Sequence, residues 1–119
     1  MPRVKNRNYS LYTREACRLL GLLVRNSRKE RRMSVEELAE RAGTSPAFVR
    51  RLEQGGLKGE IGVSFEVAHI AGVNLFVPEE ISGKRAEITF QQVMRQAEHI
   101  ATLLPKRVHK PAGKIEDDF

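Results

Sequence analysis

Few residues in this chain are placed for covalent chemistry, and more are placed for binding. The single cysteine, Cys17, stands in an apolar helical stretch with no catalytic pattern beside it, so it reads as buried packing. His69, His99 and His109 have neither cysteine partners nor ligand spacing, which argues against a metal site. Gly55-Gly56 and Gly59 follow a helical stretch instead of opening one. They lack the lysine-serine pair that a phosphate-cradling loop needs. The acid pairs Glu36-Glu37 and Glu79-Glu80 are adjacent, so on a helix they point apart and read as helix-start charges. No enzyme activity, cofactor or metal is expected. The binding candidates lie in Ser45-Pro46-Ala47 and in Arg50-Arg51. An arginine can fork to a guanine edge and an alanine methyl can touch a thymine methyl. A second arginine suits a phosphate, which positions without specifying.

The charge of the chain agrees with that chemistry. Its 119 residues are 40% hydrophobic and 30% charged, enough for one compact domain with tails. The net charge is +6, with a sequence pI near 9.9. Residues 1–34 hold ten bases against two acids, a net of +8, so the remainder is net −2. Such a placed basic surface makes a polyanion the first partner to consider, although a charge run also suits a solvated helix face. A lone cysteine, the absence of a membrane-length apolar run and the lack of a targeting pattern at the N-terminus lead us to expect a cytoplasmic protein.

Several elements must position these residues. Residues 1–12 read as a basic arm carrying Arg3, Lys5 and Arg7. Thr13 is the expected N-cap of a helix to about Arg31, with Cys17, Leu20, Leu23, Val24 and Ser27 on one face. Ser34-Val35-Glu36-Glu37 has the form of a capping box, and a short helix from it stops at Gly43. Ser45 then Pro46 is a second start signal, for a helix that turns Val49 and Leu52 inward and ends before Gly55-Gly56. A fourth helix is expected over Gly62–Ala71, with Gly72 ending it. A fifth begins between Ser82 and Thr89 and ends at Leu104, before Pro105. Its residues Phe90, Met94, Ala97, Ala101 and Leu104 make an apolar seam for the core, a second copy or another protein. The domain plan is therefore arm 1–12, binding domain 13–77, C-terminal helix 78–104 and flexible tail 105–119.

Two short helices around a glycine turn, the second opening on a serine cap, have the layout of a helix-turn-helix. The second helix would place its first turn at the base edges of the major groove. The run LVRNSRKERRMSVEELAERAGTSPAFVRRLEQG resembles the Xre/Cro-type helix-turn-helix family. The shared features are Arg28, Leu38-Ala39, Gly43, Ser45 and Leu52-Glu53-Gln54-Gly55. The resemblance implies an all-α, five-helix, lambda-repressor-like domain, a homodimer on a palindromic operator, and an ion pair between Arg28 and Glu53. One departure is Val35, where the family often has a glutamine that reaches DNA. Another is Phe48, larger than the small polar residue common there.

On this basis Ser45, Ala47 and Arg50 are the base-proximal candidates, Pro46 is a further DNA-binding candidate on the same helix, and Ser34, Arg51 and Lys58 are the phosphate candidates. The segments YTREACRLLGLLVR, EIGVSFEVAHIAGVNLF and LLPKRVHKP…DDF further resemble HipB-like antitoxins, encoded beside HipA-like kinases. That resemblance implies a repressor of its own operon that also restrains a kinase toxin. The acidic tip would then be the docking element, with Asp117 and Asp118 steering and Phe119 anchoring. Two alternatives stay open: a protein-binding adaptor on the same fold, which Val35 favours, and a standalone regulator without a toxin.

Overall fold

The computed structural model describes residues 8–77, 81 and 83–108. Among these it contains five helices and no strand, so the fold is all-α: α1 (Leu11–Glu30), α2 (Val35–Ala42), α3 (Pro46–Glu53), α4 (Ile61–Ala71) and α5 (Lys84–Leu103). The chain divides into two compact units, Met1–Leu75 and Phe76–Phe119. No helix among the described residues is long and apolar enough to cross a membrane.

The first unit is set by its helix ends. α1 is capped by Ser10, whose Oγ accepts from the Thr13 amide at 3.1 Å. Thr13 is therefore inside the first turn, not its cap. Ser34 and Glu37 form both bonds of a capping box, each 3.0 Å long. Gly43 closes α2 in the left-handed conformation, φ 73°, which costs glycine little. Two residues later Ser45 caps α3, accepting from the Phe48 amide at 3.1 Å, and Pro46 fills the first helical position. α4 starts at Ile61, one residue before the expected Gly62, and ends at Gly72 with φ 94°.

Inward residues of the four helices form one core. Val24, Leu38, Val49 and Val67 are fully buried, and Met33, Ala39, Leu52, Ala68 and Ala71 complete the cluster. Each of the large ones contributes about 1.5–3 kcal/mol relative to exposure. Leu23 is not among them. It is 40% exposed, because it lies one residue, about 100°, around the helix from buried Val24. Cys17 is only half-buried. Gly21 is buried at the closest approach of α1 to α3. A methyl there would strike the Leu52 carbonyl and lie 2.7 Å from the Glu53 carbonyl oxygen. Ser27 ties α1 to the end of α4, its Oγ donating to the Ala71 carbonyl at 2.6 Å.

The second unit contains α5, which starts at Lys84 and ends one residue short of the expected Leu104. None of its residues is buried. The ring of Phe90 meets that of Phe76 at 6.2 Å between centroids and 56° between planes.

Candidate nucleic-acid interface

α3 has two sides. At about 100° per residue, Val49 and Leu52 define the inner one. Ala47, Arg50 and Arg51 lie on the other and are exposed. The two arginines diverge by one residue's rotation, with Ala47 between them on the same outward arc.

Their surroundings differ. Arg50 reaches across to α2, its Nη2 donating to Glu36 Oε2 at 2.6 Å. Arg51 turns the other way and makes no ion pair among the described residues. It lines a hollow of about 590 Å³ with Phe48, Leu57, Lys58, Gly59 and Glu60. The structure thus brings Arg51 and Lys58 to one concavity and leaves Arg50 outside it. α4 begins beside this loop with no side-chain cap on its first amides. Its N-cap is Glu60, an exposed acid that lines the same hollow and counts against an anion at that helix start.

Both candidate serines, Ser34 and Ser45, serve as caps. Ser34 Oγ accepts from the Glu37 amide, while the Ser34 amide donates to Glu37 Oε1. These bonds hold the Glu37 carboxyl below its ordinary value of 4.5. The acids Glu36 and Glu37 therefore stand at the same helix start as Ser34, which counts against a phosphate there. Ser45 is exposed and Pro46 half-buried at the start of α3. Val35 packs half-buried against the core. Phe48 packs there too. Arg3, Lys5, Arg7, Asp117, Asp118 and Phe119 lie outside the described residues.

One internal pair fixes α3 to α1. Arg28 Nε donates to Glu53 Oε2 at 2.7 Å and Nη2 to Oε1 at 3.0 Å, a bidentate fork. Nη1 donates to the Met33 carbonyl at 2.9 Å. The hydrogen bond to Glu53 outweighs desolvation and raises the Arg28 pKa further above its ordinary range. Arg28 is therefore spent on the fold.

This arrangement has two short helices joined through a glycine, the second capped by serine and pinned at its far end by glutamate. The fold is that of a helix-turn-helix domain. Residues 19–68 match a family model described as a helix-turn-helix domain. Comparison with curated proteins and with solved structures gave no match. A helix-turn-helix domain with this outward face points to a DNA-binding regulator. Among the described residues, no group of three histidine, cysteine or acidic side chains is placed to hold a metal. Two residues of the helix-turn-helix domain are not legible as functional from local pattern. Glu36 reads as a helix-start charge, and its partner is 14 residues away on another helix. Gly21 carried a signal, a glycine inside an apolar helical run, that the periodicity did not use.

Proposed function

We propose that the chain is a sequence-specific DNA-binding transcriptional repressor, with α3 in the major groove of each half-site. The observation that carries this reading is the outward face of α3, where Ala47, Arg50 and Arg51 stand exposed on a helix held at both ends. Ser45 and Pro46 bring the first turn of α3 to the base edges, and Arg50 supplies the fork for guanine. Arg51 and Lys58 take phosphates. Ser34 is the weakest of the phosphate contacts, because Glu36 and Glu37 share its helix start. The protein acts as a homodimer on a palindromic operator with half-sites ~34 Å apart or a multiple.

Fluorescence anisotropy with the protein's own upstream promoter and a scrambled duplex, across a salt series, tests this. Tight binding to the promoter, well separated from the scrambled duplex, is the expected result. Equal and steeply salt-dependent binding to both would reduce the basic face to electrostatics.

The finer reading is an antitoxin of a HipBA-like pair that represses its own operon and binds a HipA-like kinase. Its support is the resemblance of three segments spread along the chain, and the acidic tail ending in Phe119 is its docking element. Co-expression with the product of the adjacent reading frame, with and without residues 106–119, tests it. A complex lost on deletion is the expected result, and no complex would leave a standalone regulator. One observation favours the adaptor reading: Tyr12, Leu19 and Leu23 form an exposed apolar stripe on α1, away from Val24. A chain that binds no duplex but holds a protein through that stripe would fit it.

A further inference from the structure

We propose that Glu36 is a specificity-determining residue that acts by positioning Arg50. The inference rests on the DNA-binding reading above and names a residue that reading does not use. Glu36 Oε2 accepts from Arg50 Nη2 at 2.6 Å, joining the first turn of α2 to the outward side of α3. The two side chains are 63% and 53% exposed, so the pair adds little to folding. Its location is what gives it consequence. It restrains one of the two arginines that α3 presents outward and leaves the other unrestrained.

Two physical effects follow. A free arginine side chain has many rotamers, and ordering it on binding costs affinity for the one geometry that reads a base. A guanidinium has five N–H donors, and the bond to Glu36 uses one of them. The remaining donors are then presented from a held plane, as a bidentate contact to guanine requires. The second effect is electrostatic. A carboxylate 2.6 Å away offsets the charge of Arg50, so the arginine releases few counterions on meeting phosphate. A guanine edge carries no net charge, so its hydrogen bonds to the guanidinium lose less than a phosphate contact does when that charge is offset. Glu36 therefore weakens the contact of Arg50 with any backbone more than its contact with one base. That is discrimination gained by disfavouring the wrong target.

The test uses the full chain with the promoter and scrambled duplexes in a salt series. The variants are Glu36→Gln, Glu36→Ala, Arg50→Ala and Glu36→Gln combined with Arg50→Ala. Arg28 also feels the Glu36 charge, so the urea midpoint of each variant is measured alongside. Glu36→Gln is expected to bind the scrambled duplex more tightly, with a salt slope steeper by about one. The promoter-to-scrambled ratio is expected to fall by about 3- to 10-fold, the range of one hydrogen bond's net contribution. Glu36→Ala lowers it at least as much, because no acceptor remains. In the Arg50→Ala background the glutamine is expected to leave the ratio unchanged. A ratio unaltered in both Glu36 variants, or lowered equally with and without Arg50, would overturn the assignment while the DNA reading stood. A wild-type protein that does not separate promoter from scrambled duplex would overturn both.

Discussion

Replacing Glu53 by glutamine removes one charge at nearly constant volume, and it tests the pin between α3 and α1. The Arg28 and Glu53 side chains are only 11% and 7% exposed. The variant leaves a guanidinium in a poorly solvated place with its fork half answered. Glutamine keeps one acceptor for one N–H, but its amide group turns a donor toward the other. Arg28 has no escape by deprotonation, because a guanidinium keeps its proton in proteins whatever its surroundings. Removing one partner of a buried pair costs about 3–5 kcal/mol. The residual solvent access and the retained acceptor place this variant near ~3 kcal/mol. That is at least a fifth of the ~5–15 kcal/mol a small domain has in total. In urea, with a slope of ~1–3 kcal/mol per molar, the midpoint should fall by about 1–3 M. Far-UV circular dichroism reads the transition. Glu15→Gln, at an exposed contact 4.0 Å from Arg18, is the control and should move nothing measurable. A loss below ~1 kcal/mol in Glu53→Gln would put the pair among ordinary surface contacts and refute the argument that it pins α3.

Gly21→Ala sets two effects against each other. Alanine is the better helix former by about 1 kcal/mol, but its methyl would meet the backbone carbonyls of Leu52 and Glu53, which cannot rotate away. Overpacking of ~1–3 kcal/mol or more should win, and a raised urea midpoint would show that α1 and α3 move apart freely. Glu37→Gln tests the capping box through pH. The folded state favours the carboxylate, so its stabilisation is fully present above the ordinary value of 4.5 and is lost as pH falls through the lower folded value. The wild type should exceed Glu37→Gln in urea midpoint at neutral pH, and the difference should shrink as pH falls below 4.5; a constant difference would locate the effect elsewhere. Arg51→Ala should weaken promoter and scrambled duplex alike and flatten the salt slope by about one. Loss confined to the promoter would make Arg51 a base reader.

What was legible in the sequence follows from what kind of physics each residue obeys. The capping box at Ser34, the glycine stop at Gly43 and the Ser45-Pro46 start depend on neighbours within four residues, and the structure places all three. The cap of α1 lies three residues before the expected Thr13, because Ser10 offers a hydroxyl of the same kind and its Oγ accepts from the Thr13 amide. Leu23 was placed inward with Val24, but two adjacent residues cannot share one inward direction, and the helix gave it to Val24. That Val35 packs against the core depends on which side of α2 faces inward, which composition alone does not say. On the outward side of α3, residue types were readable and partners were not. The link between Glu36 and Arg50 depends on how α2 crosses α3, which no local pattern encodes.

An eight-residue helix has no stability of its own in water, since nucleation costs more than so few bonds return. α3 is ordered because it is held at its start, at its end and along one side. Ser45 and Pro46 fix the first turn, Glu53 is gripped by Arg28, and Gly21 lets the backbone of α1 come against the last turn. Rigidity of this kind is what a reading surface needs, because a contact to a base edge fails when its side chain is loosely carried. It also explains how arginines of one type serve different ends. Arg28 is consumed by Glu53, Arg50 is steered by Glu36, and Arg51 makes no ion pair with a described residue. The +8 charge of the first 34 residues includes Arg28 and omits both outward arginines of α3. Net charge therefore draws the domain toward a polyanion, while the acid beside each arginine decides what that arginine has left to offer.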